Sequence, residues 1–235
     1  MSPPTPITLT GQDDTHICSS ADAEPFGALV HLEVVEPLNR LREDAARAGF
    51  DLRLASGFRD FSRQLSIWNR KAGGELAVLD SAAEPLSIGD LTDVQLAYAI
   101  LRWSALPGAS RHHWGTDVDV YDEAARPDGY EIDLIPEEVE SGGMFGPLHD
   151  WLDQRIVAGT AHGFFRPYDR DRGGVAPERW HLSHAPTASG LEAALSVGTL
   201  RAVTQAAELE LKDVLVEHLD DIFERFVINT NQAPV

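Results

Sequence analysis

Residues 110–122, SRHHWGTDVDVYD, crowd two histidines and three aspartates around a single glycine. The second half, TDVDVYD (116–122), alternates polar residues with β-branched valines. That is the signature of a half-buried strand with Asp117, Asp119 and Tyr121 on one face. In the first half, Gly115 marks a bend before which His112 sits in a turn. Asp119 follows His112 by seven residues, so the chain can fold back far enough for both to meet one ion. A polar loop running into a strand would give the same crowding, and the rest of the chain must decide between the two.

Upstream, EPLNRLREDAARAGF (36–50) spaces Leu38, Leu41, Ala45 and Ala46 at helical intervals, and Gly49 is placed to end the helix. DLRLAS (51–56) alternates as a strand with Leu52 and Leu54 on one face. A second helix is expected over about 60–72 with Leu65 and Trp68, followed by a loop or hairpin over 71–90. A third is expected over 91–105, with Leu96, Ile100 and Trp103 on one side and Pro107-Gly108 beyond it. Downstream, FGPLHDWLDQRIVAGT (145–160) is another amphipathic helix, and a Gly/Pro-rich charged loop delivers WHLSH (180–184), which again alternates. The tail from about 186 predicts two or three helices with an acidic outer face. Helices and short strands intermix without βαβ spacing, which argues α+β with a small antiparallel sheet flanked by helices. The expected organisation is one domain over 1–190 with a C-terminal helical extension, 191–235, packed on it.

The chain has 235 residues, 43% of them hydrophobic, enough for one domain with a sizeable core. Its formal charge of −19 repels phosphate backbones and anionic lipid, so nucleic acid is not an expected partner. No apolar run approaches the roughly 18 residues a membrane-spanning helix requires. The N-terminus, MSPPTPITLTGQDD, has neither a basic nor an apolar segment of a secretory signal. The expected compartment is therefore the cytoplasm for the sequence as written, or the periplasm if a leader has been removed. Cys18 stands alone and cannot form an internal disulfide. Nothing in the sequence sets an oligomeric state.

The segment that selects among the candidates of 110–122 is PERWHLSH (177–184). A catalytic zinc takes three protein ligands from His, Asp, Glu or Cys, with a carboxylate nearby to accept a proton from the activated water. His112 and Asp119 supply two ligands and His181 a third. Glu178, three residues before His181, is then the candidate general base and acid. No HExxH helix competes for the role.

SRHHWGTDVD resembles the Ser-x-His-x-x-Gly-x-x-x-Asp motif, and ERWH the Glu-x-x-His motif, of the D-alanyl-D-alanine metallopeptidases, the VanY-type carboxypeptidases and their dipeptidase relatives. SGFRDFSRQ (56–64) is similar to the family's Ser-Gly-Tyr-Arg-Ser-x-x-x-Gln segment, and GFFRPY with GGVAPE to the stretch before its second motif. The resemblance implies a hedgehog/DD-peptidase-like zinc fold and one zinc ion held by His112, Asp119 and His181, with Glu178 as the catalytic carboxylate. It also implies Arg59 as the arginine that holds the substrate carboxylate or stabilises charge on the scissile carbonyl oxygen, and Ser110 and Gln64 as substrate-pocket residues. The substrate implied is a small peptide ending in D-alanine. An L,D-endopeptidase on wall stem peptides and a non-catalytic zinc-containing module that binds them remain the alternatives. The chain departs from the pattern at Asp117, usually a small residue, at Arg179, often proline, and at His184, near which relatives carry tyrosine. Asp117 is then either a partner of a ligand or a rival ligand, and His184 a candidate pocket residue. His113 is expected to point away from the metal.

Overall fold

Strands β1 (Leu52–Ser56), β2 (Asp117–Asp122), β3 (Phe164–Phe165) and β4 (His181–His184) form one sheet in the order β1-β2-β4-β3. Every pair is antiparallel. These coordinates are those of a computed structural model and describe residues 4–231. The α+β class with a small antiparallel sheet is as the sequence implied. The register sets Asp117 opposite Ser183 and Asp119 opposite His181. A bulge between Leu54 and Ser56 bends β1 at its end, next to the loop that carries Arg59.

One face of the sheet is apolar. Leu52, Leu54, Val118, Val120 and Leu182 pack with Leu38, Leu41 and Ala45 of the Val35–Arg47 helix and with Leu148 and Leu152 of the Gly146–Val157 helix. Ala46, expected on the inner stripe, is exposed. The opposite face carries Asp117, Asp119, His181 and Ser183, and it too is buried: Asp117 is 0% and Asp119 3% exposed. The strand that reads as half-buried is thus buried at every position but Tyr121. Its polar side is covered by the Arg111–Trp114 turn, the loop before β4 and the Ala185–Ala194 helix, onto whose Glu192 Arg111 reaches at 3.1 Å.

The Phe61–Ala72 helix is capped by Asp60, whose side chain accepts from Arg63 N–H, and buries Gln64 and Trp68. The Asp93–Leu101 helix starts in a Thr92/Gln95 capping box and ends before the expected 105. Trp103 leaves it to donate its indole N–H to Asp80 O (2.8 Å) and to stack on Trp180. Residues 73–87 are loop with one isolated bridge, Leu79 to Pro85, and a short 3-10 turn, Ile88–Asp90, follows.

Four α-helices, not two or three helices, follow β4 among the described residues, Ala185–Ala194, Val197–Ala206, Lys212–Glu217 and Leu219–Ile222, and a π-helical turn, Phe223–Val227, continues the last. Leu211, at φ +63°, and the Ser196 cap break the run that the sequence pattern had joined. Leu200, Leu215, Leu219 and Ile222 complete a second core with Trp68, Leu96 and Ile100. Trp68 also donates its indole N–H to Glu210 O at 3.0 Å.

Candidate active site

His112 is the second residue of the Arg111–Trp114 turn, which Gly115 ends in the left-handed region at φ +66°. A side chain there would meet Ile17 Cδ1 at 2.6 Å and His31 N at 2.7 Å, so the turn requires glycine on two counts. His112 donates from Nδ1 to Gly57 O (2.9 Å), which leaves Nε2 toward Asp119 Oδ2 at 3.4 Å. From β4, His181 turns Nδ1 to Glu178 Oε2 (2.9 Å) and Asp119 Oδ1 (3.6 Å), and its Nε2 to Asp117 Oδ1 (3.1 Å).

One ligand atom from each of His112, Asp119 and His181 falls within 4.8 Å of the others, and all three residues are buried. Among the described residues Asp119 Oδ1 is buried with no hydrogen-bond partner, a costly arrangement for a carboxylate oxygen unless a cation meets it. Each histidine spends its other ring nitrogen on an oxygen, the arrangement that fixes tautomer and orientation in metal sites. The donor set therefore fits a divalent metal ion, with His112 through Nε2 and His181 through Nδ1.

Asp117 does not belong to this trio. Its Oδ1 accepts from Arg111 Nε (2.7 Å) and its Oδ2 from Thr116 Oγ1 (2.7 Å) and Ser183 Oγ (3.1 Å), so it stands behind His181. Burial opposes its charge, but the Arg111 guanidinium and His181 hold its carboxyl well below the usual range. Burial pushes Asp119 up to about 6, with His181 opposing and Glu178 adding to the rise. The two histidines diverge. Burial, with Arg59 beside it, holds His112 well below its ordinary value. Burial also opposes charge on His181, but hydrogen bonds to Asp117 and Glu178 outweigh it and push that ring up to about 10.

A cavity of about 280 Å³ opens onto this cluster, lined by Arg59, Ser110, His112, Asp119, Glu178 and His181 among others. Arg59 donates to Gln64 Oε1 (2.9 Å) and Ser56 Oγ (3.1 Å), both neutral, and its backbone N–H donates to His112 O (3.0 Å). Gln64 is 0% exposed and does not line the cavity; its Nε2 donates to Ala105 O (2.7 Å), and its contact with the site is through Arg59. His113 turns away from the His112, Asp119 and His181 trio: Nδ1 donates to Arg59 O (2.6 Å) and Nε2 accepts from Gly108 N–H (3.0 Å). His184 lies on the opposite face of β4, against Phe164 and Thr187, and does not line the cavity.

Sequence reasoning missed Arg111, Tyr168 and Lys71 around the site, and named Arg179 only as a departure from the family pattern. Arg111 orders Asp117, and Tyr168 sets its ring edge-on to His181 at 5.0 Å. Lys71 lines the cavity. Arg179 fixes the Glu178 loop by binding Asp150 (2.5 Å), Asp153 (2.6 Å) and Val139 O (2.6 Å). The spacing of Lys71 from Gln64 on one helix was the available signal for that residue, whereas Arg111 also reaches Ser183 and Glu192, which are distant in sequence.

A buried His/Asp/His trio with a further carboxylate at its edge and a cavity in front defines a candidate metal centre. Residues 27–187 match the VanY family, described as D-alanyl-D-alanine carboxypeptidase, and the chain belongs to that family. It is 41% identical over 102 residues to an uncharacterized protein of Haemophilus influenzae, covering 43% of this chain and 70% of that one. It is 29% identical over 158 residues to a D-alanyl-D-alanine carboxypeptidase of Enterococcus faecalis, covering 66% of this chain and 46% of that protein. Among solved structures, VanYB in complex with D-Alanine-D-Alanine aligns with a TM-score of 0.48 at 22% identity, over 80% of this chain and 83% of that one.

Proposed function

We propose that the chain is a zinc-dependent peptidase that removes the C-terminal D-alanine from peptidoglycan-type peptides ending in D-Ala-D-Ala. The observation that carries the reading is the orphaned Oδ1 of Asp119 between two oriented histidines, with Glu178 beside them and Arg59 facing the same cavity, without a carboxylate partner among the described residues. His112, Asp119 and His181 would hold one zinc ion. When bound, zinc supplies Lewis acidity and lowers the pKa of water from about 15.7 toward 7. Glu178 takes the proton of the attacking water and returns it to the nitrogen of the departing D-alanine. Asp117, accepting from His181 Nε2, keeps that ring's Nδ1 directed at the site. Arg59 binds the substrate's terminal carboxylate or the oxyanion that develops beside it, and is already oriented by Gln64 and Ser56 before substrate arrives. Ser110 lines the same wall and contacts the peptide. Gln64 serves the pocket through Arg59. Residues 1–190 are read as the peptidase domain and 191–235 as a helical extension; its packing on that domain is supported by the shared core around Trp68 and by the Arg111–Glu192 ion pair. Among the described residues no helix is long and apolar enough to cross a membrane, and the reading assigns none.

Product analysis on defined stem peptides tests it. Free D-alanine should appear from a peptide ending in D-Ala-D-Ala, in a metal-dependent manner. Cleavage elsewhere in the stem without free D-alanine would turn the reading to an endopeptidase, and binding without cleavage to a recognition module.

A further inference from the structure

The Glu178 carboxylate accepts one hydrogen bond among the described residues, from His181 Nδ1 at 2.9 Å. That nitrogen is the one assigned to the metal, and a coordinated ring nitrogen has no proton left to donate. With metal bound, the place of Glu178 is therefore set by its backbone. Two groups hold that backbone. Glu178 N–H donates to Tyr168 O at 3.0 Å. The next residue, Arg179, engages all three guanidinium nitrogens: Nη1 on Val139 O (2.6 Å), Nη2 on Asp150 Oδ1 (2.5 Å) and Asp153 Oδ2 (2.6 Å), and Nε on Asp153 Oδ2 (3.1 Å). Asp153 gives its other oxygen to Arg166 Nε (2.7 Å), two residues before Tyr168.

These contacts close a ring that runs from Asp153 through Arg166, Tyr168, Glu178 and Arg179 back to Asp153. One carboxylate of the Gly146–Val157 helix thus ties together the two chain segments that meet at Glu178. Neither Asp153 nor Arg179 lines the cavity. Their side chains are 41% and 25% exposed, and ion pairs this open to water add little to folding stability. Given the peptidase reading, on which this rests, we propose that Asp153 and Arg179 are positioning residues: they hold the general base Glu178 in place through its backbone and so act on the chemical step, not on the binding of peptide or metal. A shift of about 1 Å in a reacting group can cost about 10²-fold in rate, so a carboxylate released from this clamp should be a poor base while the metal trio stays whole.

The test uses the zinc-loaded protein and an acetylated peptide ending in D-Ala-D-Ala. Asp153→Ala and Arg179→Met should each lower kcat at least ten-fold, with KM and zinc affinity, the latter by chelator competition, within two-fold of the parent. The double variant should be no slower than the slower single one, because either change opens the same ring. Arg179→Lys, which keeps the charge but not the fork, should fall between parent and Arg179→Met. Hydrogen exchange of single amides, followed by NMR, is independent of turnover. The Glu178 amide should exchange at least ten-fold faster in Asp153→Ala, while the His184 amide, bonded to Thr116 O (2.9 Å), keeps the parent rate. Asp153→Asn, which preserves the shape of the side chain, should move both readouts in the same direction and replaces the alanine variant if that one does not fold. Faster Glu178 exchange in Asp153→Ala when the parent itself releases no D-alanine keeps the clamp and removes the peptidase reading. Parent kcat in the variants, parent exchange at Glu178, or a loss of zinc affinity as large as the loss of kcat overturns the positioning role.

Discussion

The two faces of the four-stranded sheet are built from the same strands at alternate positions, yet they are held by different physics. On one, Val118, Val120 and Leu182 meet the Val35–Arg47 helix in a dry apolar core whose strength is the area it removes from water. On the other, Asp117, Asp119, His181 and Ser183 are equally shielded and depend on every donor finding an acceptor. Losing a methylene on the first face costs stability and leaves the polar network intact. Losing one partner on the second strands a buried polar group and changes what the remaining groups can bind. The polar face is the demanding one: an arginine, a threonine and a serine serve a single aspartate, and that aspartate orients a single histidine.

The largest expected effect lies at the edge of the polar face. Glu178→Ala should lower kcat by about 10²–10⁴-fold, the range for loss of a general acid-base group, while bound metal measured by elemental analysis stays at the parent level. Hydrolysis at the parent rate would remove Glu178 from the mechanism, and loss of the metal would make it a ligand. The apolar face should behave in the opposite way. Leu38→Ala, at a position 0% exposed against that face, should cost about 2–5 kcal/mol in denaturant unfolding with metal content unchanged. If Leu38→Ala releases the metal from protein that is still folded, the two faces are not separable in the way their packing implies.

Much of this contrast is legible in the sequence, because alternation in TDVDVYD and WHLSH assigns residues to faces, and ERWH supplies a third ligand at a spacing that gives His112 and Asp119 meaning. What alternation does not report is whether a polar face is wet. The strand reads as half-buried, but Arg111, the Ala185–Ala194 helix and the loop carrying Tyr168 close over it from positions with no local signature. The role of Asp117 was open for the same reason: deciding between ligand and supporting residue needs Arg111 Nε at 2.7 Å, a contact no spacing rule foretells. Gln64 matched a motif position expected at the substrate, and its burial beneath Arg59 followed only from the tertiary fold. The C-terminal helices were counted too few because the break at Leu211 is made by a left-handed leucine, a conformation that glycine or asparagine would have advertised.

A smaller effect separates the metal ligands from what orders them. Asp117→Asn keeps the size of the side chain but removes the charge that Arg111 and His181 both face, and should weaken metal binding about 10–100-fold, the usual cost of losing an outer partner of a ligand histidine. Competition with a chromophoric chelator measures it. Parent-level affinity would mean that His181 is oriented by β4 alone, and complete loss of metal at millimolar excess would promote Asp117 to a ligand.

The smallest effect concerns the turn where the two faces meet. His31 donates its backbone N–H to Gly115 O (2.8 Å), and its Nδ1 accepts from Glu33 N–H (3.1 Å), a bond that only the neutral ring can make. Burial, with His16 beside it, lowers its pKa to about 4. In the unfolded chain a histidine titrates near 6.5. The unfolded state therefore binds the proton first as pH falls. The contribution of His31 to stability is whole above about pH 6.5, drains away between there and about pH 4, and changes no further below, where both states are protonated. His31→Asn retains an acceptor that does not titrate in this window. Between pH 7 and pH 4.5 its unfolding free energy should fall less than that of the parent, by on the order of 1–2 kcal/mol. Equal losses in the two proteins would mean that the acid sensitivity of this turn comes from the carboxylates around it, and that His31 supports the entry to β2 by shape alone.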